Sequence, residues 1–536
     1  MSELVIDLKD NQFQDYLRDE SRSIGQAESI SFPCSLEEVK EIVALTSQQQ
    51  LPLTVQGART GLAGGAVPYG GHVMNLSRLN RIKGLRHDPV NNTFFLIVEP
   101  GVLLTEIRQA LQSLNFSTNT WTPASIAALD KLRQQGPYFF PPDPTETSAS
   151  IGGMIACNAS GALTYFYGPT RNYIEAIRVV LMNGHTLTLR RGQHRVEDGR
   201  FCVQTDEGET ISGELPPLTM PEVKNASGYY LKQDMDLIDL FIGSEGTLGI
   251  IVEAELKLLP APKALWGITA FMPTEEAALR LVRAVRGEEV DNLQAPRLPK
   301  PGAIEYFNCD ALALLRQQRE HNPAFGHLQE LRPHYHTAIY LEWHGNSDEE
   351  LYQVVLELGG LIEACGGNEE DTWVAATPND LEQLKFFRHA TPECVNMLID
   401  QRRQIEPKIT KLGTDMAVPD QELIRVVDLY NRDLAASGLE SVMFGHIGNN
   451  HIHVNILPRN LEDYRKGREL YLKWAQAIVA MGGTVSAEHG IGKIKTAFLA
   501  EMYGADGIEK FRTVKRIFDP AQRLNPGNLF ENGGGE

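Results

Sequence analysis

Cysteine is scarce in this 536-residue chain: Cys34, Cys157, Cys202, Cys309, Cys365 and Cys394 lie far apart and form no C-x-x-C pair. The length rules out a disulfide-stapled miniprotein, and the cysteine spacing argues against an iron–sulfur cluster or zinc ribbon. Long apolar runs are missing too. None approaches the roughly 18 residues of a membrane span, and 42% hydrophobic with 22% charged residues is an ordinary globular composition. Positive charge is in deficit, 50 Lys and Arg against 69 Asp and Glu, for a formal net charge of −19. With no dense Lys/Arg run, such a surface repels phosphate backbones, so no nucleic acid is expected as partner. Residues 1–10 show neither the basic start and apolar core of a secretory signal nor the Arg-rich look of a transit peptide. The expected compartment is the cytoplasm, with a peripheral place at the inner membrane as the variant. No repeat period stands out, and the only low-complexity stretch is the tail at 533–536, so the length implies two to four distinct units.

What is present reads as α+β. Residues 94–98 form a β-branched and aromatic run stopped by Pro100-Gly101, and residues 179–189 carry the Asn183-Gly184 turn of a tight hairpin. Helices are expected over 35–50 and 104–113. A strand at 250–259 ends in Pro260-Ala261-Pro262, which suits a domain boundary. Beyond it, strand 265–271, helix 275–286, strands near 303–307 and 337–343, helix 348–364 and a strand near 373 suggest a ferredoxin-like β-α-β-β-α-β unit. Residues 288–301 are expected to be a loop, because Pro296, Pro299 and Pro301 forbid a helix. From about 380 the chain turns mostly helical, with one strand pair around 441–457.

Three glycine-rich stretches follow one another. The first, Val55 to Pro68, leaves an apolar strand and carries Gly57, Gly61, Gly64 and Gly65. Glycines let successive backbone N–H groups converge on an anion such as a pyrophosphate. It is not the G-x-G-x-x-G of a dinucleotide-binding βαβ unit. The second runs from Pro141 to Gly161 and continues through Tyr167 to Tyr173; the third is Phe241 to Ile250.

In this order the three stretches closely resemble the FAD-binding domain of the vanillyl-alcohol oxidase / p-cresol methylhydroxylase (PCMH-type) flavoprotein superfamily, in its D-lactate dehydrogenase, D-2-hydroxyglutarate dehydrogenase and glycolate oxidase branch. The resemblance spans about residues 28–530. It implies a two-part FAD-binding domain over 28–262 and, over 263–530, a ferredoxin-like cap with a C-terminal helical segment that holds substrate and metal. It places the FAD pyrophosphate against Gly57, Ala58, Arg59, Thr60, Gly61, Gly64 and Gly65. The isoalloxazine is expected along Ser150, Gly152, Gly153, Asn158 and Gly161 and along Glu245, Gly246, Gly249 and Ile250. Pro142, Asp143 and Asn528 complete the expected cofactor set. Members that tether the flavin from the first loop use a histidine there; Arg59-Thr60 stands here instead, so the FAD is expected to be non-covalent. Residues 119–140 look like an insertion relative to the family spacing.

Gly445 to Pro458 carries another pattern. His451, His453 and Asn455 alternate with Ile452, Val454 and Ile456, as in a strand with one buried side. Two imidazoles and an amide are costly to bury unless they bind something. His446 stands just before them, and Glu488 and His489 are adjacent in a glycine-flanked loop. Two histidines and a carboxylate with an open position are the ligand set of a catalytic Zn²⁺ or similar divalent ion. The resemblance implies His446, His453 and Glu488 as ligands, Asn455 as a substrate contact and His489 as the base. Zinc is expected, with manganese or iron as variants. His451 replaces an asparagine of the usual motif, which leaves it as a fourth ligand, a residue backing the ligands or a surface side chain, the second being favoured. Arg388 matches the family's substrate arginine. The threonine and lysine of hydroxyglutarate members do not align, since residue 392 is proline and the nearest lysines are Lys408 and Lys411; Gly413 to Pro419 looks like the D-lactate branch.

The resulting expectation is an FAD- and metal-dependent D-2-hydroxyacid dehydrogenase making a 2-oxo acid. D-lactate leads, D-2-hydroxyglutarate follows and glycolate is third. The metal lowers the hydroxyl pKa, His489 takes the proton and C2 delivers hydride to flavin N5. The reoxidant is a quinone, a cytochrome, an electron-transfer flavoprotein or an iron–sulfur protein, and a homodimer is admitted. Two rivals stand beside this reading: an alcohol or phenol oxidase of the same superfamily, and a flavin-bearing or flavin-free component of a larger electron-transfer assembly.

Overall fold

Val39, Ile42 and Val43 repeat at helical spacing and are buried in the helix Leu36–Gln48, whose first turn is capped by the Ser35 hydroxyl accepting from Glu38 N at 3.2 Å. This helix connects the strands Ser29–Ser31 and Leu53–Gln56, which lie parallel on either side of His72–Asn75. One βαβ crossover therefore precedes the first glycine loop. The computed structural model describes residues 4–8, 11–290, 293 and 298–531 of this mixed α/β chain. Of the loop expected over 288–301, residues 291, 292 and 294–297 lie outside the described residues, as does the tail 533–536.

The second part of this half is a five-stranded antiparallel sheet in the order Ile82–Asp88, Thr93–Val98, Ile250–Lys257, Ile174–Val180, Thr186–Arg190. The expected run at 94–98 and the hairpin at 179–189 are both there, the turn using Gly184 at φ 84°. The segment 119–140 has a definite job: it builds the helix Pro123–Gln135, started by a Thr122 cap and Pro123. Its Ala128, Leu129 and Leu132 are buried, and Trp121 Nε1 donates to the Ile82 carbonyl at 2.9 Å. The helix packs against the outer strand Ile82–Asp88 of that sheet.

Beyond Pro262 the strands pair in the order Thr372–Ala375, Ala264–Met272, Thr337–Gly345, Ala303–Phe307, all antiparallel. This is the pairing of a split β-α-β unit with the helices Glu275–Val285 and Asp348–Ala364 in their expected places. The sheet does not stop at four strands. Ser441–His446, His451–Ile456 and Leu412–Gly413 continue it from Ala303–Phe307 to a total of seven. The helix Cys309–His321, capped by Asn308, has no counterpart in the sequence expectation. Helix Pro378–Arg403 runs through Pro392, whose missing N–H leaves the Arg388 carbonyl without its helical donor.

The chain then returns to the flavin half. Leu53 N donates to Arg523 O and Asn525 N to Leu53 O, both at 2.8 Å, and Lys515 Nζ reaches the Thr247 carbonyl at 2.8 Å. Between the halves lies a cavity of about 1140 Å³ walled by both. Among the described residues no helix is long and apolar enough to cross a membrane.

Candidate active site

The first glycine loop leaves strand Leu53–Gln56 into the cavity wall. Arg59 takes the left-handed conformation, φ 63°, and its guanidinium lies over the Tyr16 ring at 4.1 Å. Among the described residues none accepts from the backbone N–H of Arg59, Thr60, Gly61 or Leu62. Adjacent unpaired amides on a loop that turns through a left-handed residue form an anion-binding concavity. These donors, beside a cavity somewhat larger than the ~300–1,000 Å³ usual for ligand sites, fit the pyrophosphate of an FAD.

Gly57, Ala58, Arg59, Thr60, Gly61 and Gly65 all line the cavity. So do Ser150, Gly152 and Gly153, Glu245, Gly246 and Gly249, and Asn528. Gly64, Pro142, Asp143, Asn158, Gly161 and Ile250 do not. Their places have other causes. A Cβ on Gly161 would lie 1.7 Å from the Asp143 carbonyl oxygen, so this glycine permits one backbone to pass another. Asn158 ends the helix Ile151–Cys157 and accepts from Arg171 N at 3.0 Å. The Asp143 carboxylate takes Arg108 Nη2 at 2.6 Å. Glu245 reaches the cavity wall, but its carboxylate accepts from Ile491 N at 2.6 Å and Gly492 N at 2.7 Å, so it holds the loop carrying Glu488.

The imidazoles are placed by a hairpin. In the pairing of Ser441–His446 with His451–Ile456, His446 stands opposite His451 and Phe444 opposite His453. Opposed residues share a face, as do residues two apart on one strand, so all three rings project together. Their centroids are 5.4, 5.7 and 4.3 Å apart for 446–451, 446–453 and 451–453. Glu488 meets them from its loop: its carboxylate is 3.4 Å from His446 Nε2, 3.4 Å from His453 Nε2 and 3.8 Å from His451 Nδ1. One donor atom from each of the four residues lies within 4.8 Å of all the others. A divalent ion could be held there, and the nitrogen and carboxylate donors suit one. His489 lies alongside, its ring stacked on His453 at 5.5 Å, with Nε2 3.4 Å from Glu488. Arg388, Asn455 and His489 all face the cavity that the glycine loop lines.

Burial and charge compete here. Burial alone disfavours a charged imidazole, but Glu305 and Glu488 outweigh it and raise His446 to about 9. An ion binding there would release that proton. Burial lowers His489 to about 4 against the pull of Asp415 and Glu488. Burial also drives His451 well below the ordinary value, with His453 adding to the effect. Glu488 stays ionised despite its burial because Lys224, His446 and His451 surround it. Arg388 is held in its charged form, against burial, by Glu305, Tyr340 and Glu342.

Several of these partners have no place in the sequence reading. Asp415, 1% exposed, accepts from Glu488 N at 3.2 Å, His489 N at 3.0 Å and Ser486 Oγ at 2.6 Å, and pairs with Lys495 at 2.6 Å. Glu305 bonds His446 Nδ1 at 2.7 Å. Lys224 places its ammonium 2.5 Å from Glu488 Oε2 and 3.3 Å from His451 Nδ1. Glu305 and Glu342 are lone carboxylates in otherwise apolar strands, a detectable signal for a buried charged partner. Lys224 comes from an irregular segment that carries no pattern.

Comparison with known proteins identifies the two halves of the chain. Residues 27–129 and 124–190 match an FAD binding domain, and residues 267–529 match the C-terminal domain of FAD linked oxidases. The chain is 30% identical to a D-lactate dehydrogenase of Anaerostipes hadrus, covering 96% of this chain and 92% of that protein. It is 29% identical to a D-2-hydroxyglutarate dehydrogenase of Xanthomonas citri pv. viticola, over 94% and 89%. A glycolate oxidase subunit of Bacillus subtilis is 24% identical over 94% and 89%. Among solved structures, an alkyldihydroxyacetonephosphate synthase shares the fold with a TM-score of 0.61 at 15% identity, over 98% of this chain and 82% of that one. The chain thus belongs to the FAD-linked oxidase family, as a flavoprotein oxidoreductase of its D-lactate / D-2-hydroxyglutarate dehydrogenase branch.

Proposed function

We propose that the protein oxidises a D-2-hydroxy acid, D-lactate first, to the 2-oxo acid, using a dissociable FAD and a divalent ion and passing electrons to an acceptor other than NAD. The observation that carries this reading is convergence: Arg388, Asn455, His489 and the His446/His453/Glu488 cluster open on the same cavity as the unpaired amides of the first glycine loop. When bound, FAD supplies a hydride acceptor for C2 and the ion supplies acidification of the substrate hydroxyl.

The chain's own residues do the rest. Arg388, buried and held charged, offers a guanidinium to the substrate carboxylate. His489, neutral at physiological pH because burial lowers it to about 4, has a free lone pair to take the hydroxyl proton. Asp415 fixes the backbone of residues 488 and 489, so acceptor and ligand keep their separation. The same cavity is lined by Arg388, Lys411 and Arg468 as well as by Glu305, Glu469 and Glu488, so what draws an anionic substrate in a protein of net charge −19 is the Arg388 guanidinium itself rather than the field of the whole wall.

The test is an anaerobic flavin-bleaching screen of the purified chain over D- and L-lactate, D-2-hydroxyglutarate, glycolate and D-malate, with and without chelator. Bleaching by D-lactate but not L-lactate, slowed by chelator, is the expected result. Preference for D-2-hydroxyglutarate would replace the substrate while keeping the chemistry. No bleaching by any of the acids would overturn the reading.

A further inference from the structure

Each histidine of the hairpin turns one ring nitrogen towards an oxygen of its surroundings and the other towards Glu488. His446 Nδ1 is engaged by Glu305 Oε1 at 2.7 Å, and His453 Nδ1 by the Thr414 carbonyl at 2.9 Å. His451 is fully buried, and its Nε2 stands 3.0 Å from Asp415 Oδ1, at an angle short of a full hydrogen bond. An acceptor on the outer nitrogen keeps the ring hydrogen there and leaves the other nitrogen's lone pair inward. This acceptor–histidine arrangement is the one that orients metal-ligating imidazoles. His451 differs from the other two in presenting Nδ1 rather than Nε2 and in lacking a full hydrogen bond on its outer nitrogen. That Nδ1 lies 3.8 Å from Glu488 Oε2 and 3.3 Å from Lys224 Nζ, which it can accept from. The Lys224 ammonium therefore sits among the same donors an ion would use.

We propose that His451 is a fourth protein ligand of the metal, through Nδ1, so that the site is a three-histidine, one-glutamate set that selects an ion taking six ligands, such as Mn²⁺, Fe²⁺ or Co²⁺, over four-coordinate Zn²⁺. The inference rests on the metal-dependent reading above. Two metal–nitrogen bonds of about 2.1 Å span at most ~4.2 Å, so donors now within 4.8 Å need close in by no more than about 0.6 Å to reach that limit. The ion takes the place of the ammonium at Glu488. Four protein ligands would complete a tetrahedral zinc shell and leave no position for substrate, whereas a six-coordinate ion keeps two adjacent ones for a hydroxy acid.

The test uses the full chain, stripped of metal and reloaded with Co²⁺. Three exchangeable, paramagnetically shifted ring N–H protons in the ¹H NMR spectrum, and a weak visible absorption typical of six-coordination, are expected. His451→Asn should lose one of those signals and bind Co²⁺ well over ~100-fold more weakly in chelator competition, beyond the ~10–100-fold range seen when only an outer partner is lost, with flavin content unchanged. Two shifted N–H signals in the unsubstituted chain, or His451→Asn binding within about 100-fold, the range of an outer partner, would overturn the fourth ligand and leave the metal site standing. No saturable Co²⁺ binding would overturn both. The NMR count needs no variant, so a misfolded His451→Asn leaves the result decidable.

Discussion

The cavity has two walls built on opposite principles. The flavin wall binds chiefly through backbone: small residues and unpaired amides of the first glycine loop, with Arg59, Glu146 and Glu245 among its few charged side chains. The other wall is side chain: three imidazoles, Glu488, Asp415, Lys224 and Arg388, mutually compensating and buried or largely so. The first binds by leaving donors open. The second binds by exchange: Lys224 neutralises Glu488 until an ion takes its place. The flavin wall should therefore tolerate changes in charge and fail on changes in shape, and the cluster should do the reverse.

Removing a ligand gives the largest effect. His453→Ala should empty the metal site and lower turnover on the order of 10³-fold or more, since a metal's charge stabilisation amounts to several kcal/mol. Flavin content should stay stoichiometric. Full turnover with full flavin would sink both the metal and the division of labour between the walls. Lys224→Met comes next: it strips the ammonium from Glu488, and the metal-free protein should lose about 3–5 kcal/mol in urea unfolding, as when one partner of a buried pair is deleted. Added Mn²⁺ or Co²⁺ should restore stability by binding only the folded form. Unchanged stability would mean that Lys224 is not the counter-ion.

The two walls also separate by pH. His72, in the strand next to the glycine loop's own, has only Ser29 and Ser31 on its nitrogens, each at 2.8 Å, and burial lowers it to about 4. The unfolded chain takes that proton first, near pH 6.5. Its contribution is fully present above that value and lost as pH falls towards 4, up to about 3 kcal/mol. His72→Asn should flatten this part of the stability–pH curve; an unaltered curve would show that the ring is not held neutral. Smallest is the seam. Gly492 has φ +51°, and a Cβ there would lie 2.0 Å from the Ala63 carbonyl, which also accepts from Lys493 N at 2.9 Å. Gly492→Ala costs about 1–2 kcal/mol from its backbone alone. It should weaken flavin and metal binding together; weakening of one alone would mean the walls are independent.

How much of this could be read beforehand differs between the walls for the same reason that they differ in construction. Glycine density marked the flavin wall, yet Gly161 and Gly492 are glycines because another chain segment passes within contact, and composition does not distinguish that from ligand approach. The period-two pattern at 451–456 showed which residues share a face, but that His446 lies opposite His451 depends on the turn at 447–450. Asp415 and Lys224 arrive from segments with no periodicity, so only the fold brings them in. Helix Pro378–Arg403 continues through a proline that local rules treat as a breaker, because the helix's buried Leu384, Phe387, Ala390 and Val395 offset the lost bond. The extension of the four-stranded unit to seven strands follows from Ser441–His446 pairing with the Ala303–Phe307 edge, a contact between segments about 135 residues apart in sequence.

The hydrogen bond from Val55 N to Asn525 Oδ1 closes a loop of 470 residues. Asn528 joins the same edge by donating to the Gly65 carbonyl at 3.1 Å. Contacts of such separation form late, because loop-closure entropy must be met before they contribute. The strand and loop that cradle the flavin thus acquire their last partners only after both halves have folded, which makes competence to hold FAD a late event in folding. A fragment covering residues 27–190 alone would carry every amide of the first loop and still lack the partners that fix its shape.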